Sequence, residues 1–124
     1  MPPSPSRTRA ERRGRLGETL AALYLRLKGY RIRARRFKTP VGEIDLVASR
    51  FGTLVFIEVK TRASGADEAM ALQSVNQRRI IRAAKFYIAK HPYLSDKPMQ
   101  FDVMFLAPGH LPGHLKNAFE DPER

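Results

Sequence analysis

Three carboxylates and a lysine lie close together in the middle of this 124-residue chain: Glu43, Asp45, Glu58 and Lys60. They fall in two segments, Glu43–Ala48 (EIDLVA) and Leu54–Lys60 (LVFIEVK), whose β-branched content predicts strands. A short Ser49–Thr53 connection containing Gly52 predicts a hairpin between them. With the turn centred between Phe51 and Gly52, Asp45 stands opposite Glu58 and Glu43 opposite Lys60. Opposed residues bring their Cβ atoms to about 4.5–5.5 Å, and residues two apart share a face. The four side chains then form a square. Opposed carboxylates repel each other, and a hard, oxygen-seeking cation such as Mg²⁺ or Mn²⁺ relieves that repulsion. Such an ion acidifies bound water and polarises a phosphoryl oxygen, while a lysine beside it stabilises developing negative charge. That is the chemistry of phosphodiester hydrolysis. The plain alternative is a wet sheet face with ordinary cross-strand ion pairs, Ile44, Leu46, Val55, Ile57 and Val59 being the buried face.

The rest of the sequence must position these groups. Leu16, Leu20, Leu23, Tyr24 and Leu27 recur at helical spacing, and Gly29 follows them, so an amphipathic helix is expected there. Glu18 shares a second, smaller apolar side with Ala21, Ala22 and Leu25. Tyr30–Phe37 (YRIRARRF) alternates Arg31, Arg33 and Arg35 with Ile32 and Ala34, which predicts an edge strand with a basic outer face. After a loop over 63–68, a second helix is expected from about Ala69 to Lys90, stopped before Pro92. Its core stripe is Ile80, Ile81, Ala84, Tyr87 and Ile88, and Arg78, Arg82 and Lys85 form a basic stripe. Gln77, one turn before Ile81, would point toward the sheet. Met99–Leu106 reads as a fourth strand containing Asp102, a supporting acid, and Leu115–Phe119 as a short terminal element. His110 and His114 have HxxxH spacing, but Pro112 and two glycines around them make them loop residues rather than a shared zinc-binding face. The predicted class is α/β, a small mixed β-sheet flanked by helices in the order α-β-β-β-α-β. It forms one domain over 14–124, preceded by a flexible basic arm, 1–13.

Composition narrows the function classes. Zero cysteine excludes a disulfide scaffold, a Cys-ligated metal site and a Cys nucleophile. The longest apolar runs, Leu20–Leu25 and Val103–Ala107, are far too short for a membrane helix. A cytoplasmic protein without a membrane partner is therefore expected. Net charge is +11, which favours a polyanionic partner. The excess sits in residues 1–17 (+4), 18–41 (+6) and 78–97 (+5), whereas 42–62 is neutral because Glu43, Asp45 and Glu58 balance Arg50, Lys60 and Arg62. Basic blocks thus flank an acidic centre. Arg31, Arg33, Arg35, Arg36, Arg78, Arg79, Arg82 and Lys85 are the candidate phosphate contacts.

Gly42-Glu43-Ile44-Asp45-Leu46-Val47-Ala48 followed by Phe56-Ile57-Glu58-Val59-Lys60-Thr61-Arg62 resembles the D-(x)n-(D/E)-x-K core of restriction-endonuclease-like nucleases. More closely, it resembles the YraN family of small predicted bacterial nucleases, which are similar to archaeal Holliday-junction resolvases. Gly17-Glu18, Gln77-Arg78-Arg79-Ile80, Phe101-Asp102-Val103 and Asn117-Ala118-Phe119 extend the likeness over roughly 14–119. The resemblance implies a restriction-endonuclease-like core and Mg²⁺-dependent endonuclease activity on DNA, including branched or recombining DNA. It implies Asp45, Glu58 and the Val59 carbonyl as metal ligands, Lys60 as catalytic lysine and Glu18 reaching the site from the first helix. Glu43, Gln77 and Asp102 would support them, and two chains would pair as a homodimer. A non-catalytic nucleic-acid-binding module on the same fold stays open as the alternative.

Overall fold

The computed structural model describes residues 5–61, 72 and 75–123, with side chains from Arg15 onward. The elements are α1 (Pro5–Leu27), β1 (Arg31–Thr39), β2 (Gly42–Arg50), β3 (Thr53–Thr61), α2 (Gln77–Lys90), a 3-10 turn (Pro92–Leu94), β4 (Met99–Leu106) and β5 (Gly113–Phe119). The strands form one sheet in the order β1-β2-β3-β4-β5, antiparallel except for the β3–β4 pair. A parallel pair needs a crossover, and α2 lies within it. The expected α/β class with a mixed sheet between helices holds, and the five-stranded sheet is consistent with a small nuclease-like core. The terminal element is a full fifth strand. No described helix is long and apolar enough to cross a membrane.

The two helices pack against two apolar clusters. Ala21, Ala22 and Leu25 of α1 bury against Leu46, Ala48, Val55, Ile57 and Met104. Ile80, Ala83, Ala84 and Tyr87 of α2 bury against Ile44, Val47, Leu54, Phe56, Phe101 and Val103. The β2–β3 hairpin is therefore covered on both sides, so the picture of one buried and one wet face is corrected. Its turn is tight: Phe51 and Gly52 both have positive φ, 51° and 78°, the backbone of a type I′ hairpin turn.

Helix α1 also departs from expectation. The small face with Glu18 meets the sheet, and the leucine stripe faces outward. Close approach explains the choice. A Cβ on Gly17 would lie 2.6 Å from Thr61 Oγ1, and only glycine and alanine side chains allow the helix backbone so near the strands. The segment read as a basic arm, 1–13, enters α1 from Pro5, since proline is well placed at a helix start; residues 1–4 lie outside the described part. Helix α2 starts at Gln77, where Asn76 caps it by accepting the Arg79 N–H; Val75 and Asn76 interrupt the helix expected from Ala69, Leu72 before them is helical, and residues 69–71, 73 and 74 lie outside the described part. The expected loop over 63–68 lies outside the described residues.

A candidate metal centre

The site is built where strand β2 parts from β3. Its pairing with β1 runs through Arg35–Leu46 to Phe37–Ile44, passing over Arg36 and Asp45. Its pairing with β3 keeps the predicted register from Arg50–Thr53 to Leu46–Ile57 and extends no further toward Asp45. Arg36 takes φ 53°, a left-handed conformation that costs a non-glycine residue roughly 1–2 kcal/mol. Ile44 packs on the α2 side and Leu46 on the α1 side although they are two residues apart, so strand alternation breaks at Asp45. The freed Val59 N–H donates to Asp45 Oδ2 at 2.7 Å.

Into this opening come acids from three elements. Glu18 of α1 joins Glu43 and Asp45 of β2, with one carboxylate oxygen of each within 4.8 Å of the others. Glu58 of β3 is buried and hydrogen-bonds with Asp45. Burial first, then the Asp45 hydrogen bond and charge, raise the Glu58 carboxyl far above the ordinary range, against the opposing pull of Lys60 and Arg79. Glu18 is pushed up to about 6, chiefly by burial and next by Asp45, with Arg36 opposing. Two guanidiniums offset part of the charge. Arg36 Nε stands 3.7 Å from Glu18 Oε2 and 3.2 Å from Glu43 Oε1. Arg79 reaches from α2 to Glu58 Oε2 at 3.4 Å. Its stem lies so close to Gly42 that a Cβ there would be 2.7 Å from Arg79 Cδ. Glu18 Oε2 is buried and accepts no hydrogen bond among the described residues. A buried oxygen that accepts no hydrogen bond, beside two more carboxylates, fits a hard divalent cation, which takes oxygen ligands.

Glu18, Glu43, Asp45 and Glu58 thus converge, with Lys60 close enough for its charge to act on Glu58. The Val59 backbone lies beside Asp45. The cross-strand square is corrected in detail: Glu43 pairs with Arg36 rather than Lys60, because β2 turns out of register at Asp45. Gln77 stays exposed at the first position of α2, and Arg79, two residues on, reaches the acids instead. Asp102 belongs to another network. Fully buried, it binds His114 Nε2 at 2.6 Å, Gln100 Nε2 at 2.9 Å and the Asn117 N–H at 2.9 Å, and His114 Nδ1 meets Lys28 Nζ at 2.9 Å. His114 is therefore a strand residue of β5, not a loop residue.

The basic residues divide. Arg31, Arg78 and Arg82 are exposed. Lys85 pairs with Glu123 at 3.5 Å. Arg33 donates to the Tyr87 and Tyr93 hydroxyls and Arg35 to Thr19 Oγ1, so β1 sends its arginines to both sides of the sheet rather than to one outer face. A register shift between Ile32 and Ala34 breaks the alternation. Sequence reasoning assigned Arg36 and Arg79 to phosphate and missed their inward role. The one available signal was Arg36 falling out of step with Arg31, Arg33 and Arg35.

Fold and site together define a class: small α/β proteins with a carboxylate cluster at the opened end of a central hairpin. The model of the uncharacterised protein family UPF0102 matches residues 17–106. The chain belongs to UPF0102, which is the YraN family. It is 50% identical over 119 residues to a UPF0102 protein of Rhodopseudomonas palustris (strain BisA53), covering 96% of this chain and 92% of the relative. It is 48% identical over 117 residues to the UPF0102 protein bll0669 of Bradyrhizobium diazoefficiens, covering 94% and 88%. A UPF0102 protein of Parvibaculum lavamentivorans shares 48% over 110 residues, covering 89% and 83%.

Proposed function

We propose that this protein is a divalent-metal-dependent endonuclease that hydrolyses phosphodiester bonds in DNA, branched or recombining DNA among its substrates. One observation carries the reading: carboxylate oxygens of Glu18, Glu43 and Asp45 within 4.8 Å of one another, with Glu58 and Lys60 alongside. Asp45 and Glu58, joined by Glu18 and the Val59 carbonyl, would hold Mg²⁺ or Mn²⁺. The bound ion supplies a more acidic water and a polarised phosphoryl oxygen. Asp45 is held in place by the Val59 N–H, which fixes the orientation of its carboxylate. Lys60 positions the attacking water and stabilises the negative charge that grows on the phosphoryl oxygens. Arg36 and Arg79 offset the charge of Glu18, Glu43 and Glu58. Exposed Arg31, Arg78 and Arg82 hold phosphates by charge, without reading bases. The protein is expected to work in the cytoplasm.

A second reading rests on Arg36 and Arg79. Guanidiniums already paired with Glu18, Glu43 and Glu58 could balance the cluster permanently, leaving a DNA-binding module without turnover. Incubating the protein with four-way, fork, flap and linear DNA in Mg²⁺ or Mn²⁺ separates the two. The nuclease reading expects cleavage by the wild type and none by Lys60→Ala or Asp45→Asn. Binding that weakens with salt, without cleavage by any form, selects the module. Cleavage that survives both substitutions places the activity elsewhere.

A further inference from the structure

The outward face of α1 is unusual for a surface helix. Leu16, Leu20, Leu23 and Leu27 are 47–78% exposed. Their spacing, i, i+4, i+7 and i+11, is the a/d seam of a heptad, while the residues between them, Glu18, Ala21, Ala22 and Leu25, are buried against the sheet. Beside this seam runs an apolar groove of about 630 Å³, with Thr61, Leu106, Pro108 and Pro112 on its far wall. Leu111, next to that wall, is 88% exposed. Contiguous apolar surface of this kind marks an interaction site rather than ordinary surface scatter.

We propose that α1 pairs antiparallel with α1 of a second copy of this chain, about a two-fold axis between Leu20 and Leu23, each helix lying in the other's groove. Two observations choose this occupant. A leucine seam at heptad spacing is complementary to itself, as a two-fold interface requires. The positions flanking the seam on the groove side are Gly17 and Tyr24, so two chains of +11 can meet there without opposing charges of like sign. Antiparallel is the orientation that aligns the helix dipoles of the pair favourably. The seam spans about 16 Å of helix. That places the interface at the small end of the size range, where association is weak. The inference does not depend on the nuclease reading, since none of its residues is an acid of the cluster.

The test is the mass of the nucleic-acid-free full-length chain by sedimentation and light scattering. Between about 1 and 100 µM, concentrations bracketing weak association, the mass should rise from 14.1 kDa toward twice that value. Raising salt from about 0.15 to about 1 M should preserve or strengthen the dimer, because an apolar seam is retained while the like charges around it are screened. Leu20→Asn/Leu23→Asn should stay monomeric with an unchanged melting temperature. The chain has no cysteine, so cross-linking gives an independent readout: Leu20→Cys mixed with Leu23→Cys should form covalent dimers, and Leu16→Cys alone should not. A wild type that stays monomeric at about 100 µM, a dimer that salt dissolves, a dimer undiminished by the double Asn variant, or Leu16→Cys cross-linking to itself as fast as the mixed pair would each overturn the proposal.

Discussion

Replacing Asp45 by Asn should stabilise the protein without metal and destabilise it, relative to wild type, with metal. The amide keeps an oxygen to accept the Val59 N–H, which Asp45 now binds at 2.7 Å, but it carries no charge. The displacement of Glu18 from 4.5 to about 6 corresponds to roughly 2 kcal/mol against its ionised form at neutral pH. Burial is the largest cause, and the Asp45 charge is the next contributor. Removing that charge should return on the order of 1 kcal/mol. For a domain of this size, 1 kcal/mol moves the melting temperature by about 3–6 °C. An ion at one hundred times its dissociation constant adds about 2.7 kcal/mol to the wild type, and the Asn variant should gain little of it. Thermal melts at pH 7.5 in EDTA, then in Mg²⁺ or Mn²⁺, should therefore reverse the order of the two proteins. If Asp45→Asn melts lower in EDTA and gains as much from metal as the wild type, the electrostatic account of the cluster is wrong.

In EDTA, stability should fall as pH rises. Glu18 and Glu58 hold their protons in the folded protein at pH values where the unfolded chain releases them, so the folded state binds more protons from about pH 4.5 upward, through about 6 for Glu18 and beyond for Glu58. Urea titrations across this range should show a shallower slope in Glu58→Gln; an equal slope would remove Glu58 as a cause. Gly42→Ala should cost about 1–3 kcal/mol, because φ is +144° and the new Cβ would press on the Arg79 stem; denaturant midpoints measure it. Asp102→Ala should cost about 3 kcal/mol by removing the partner of His114 Nε2, Gln100 Nε2 and the Asn117 N–H. Amide exchange at Asn117 should accelerate in that variant, while its melting-temperature response to Mg²⁺ stays that of wild type.

Much of the architecture could be read from residue patterns because those patterns report burial. The α2 stripe of Ile80, Ile81, Ala84 and Tyr87 is buried as its spacing required, and the β2–β3 register follows from the placement of Phe51-Gly52. Where the reading failed, size and backbone geometry overrode hydrophobicity. In α1 the bulkier stripe looked like the core face, yet close packing against β3 selected Gly17, Ala21 and Ala22. Glu18 was legible because it shared that smaller face. Arg36 and Arg79 were not, since an arginine that turns inward to meet a carboxylate looks in sequence like one that meets solvent. The positive φ of Arg36, which redirects its side chain, leaves no trace in residue type. The pairing of Asp102 with His114 across β4 and β5 likewise depends on a strand partnership set by tertiary structure.

The four acids are contributed by α1, β2 and β3, and no two adjacent turns of chain could assemble them alone. An ion held there would act as a gauge of assembly. A chain with the hairpin formed but α1 undocked would present only part of the ligand set, and its affinity would drop accordingly. Occupancy would then report that the first helix has reached its place on the sheet.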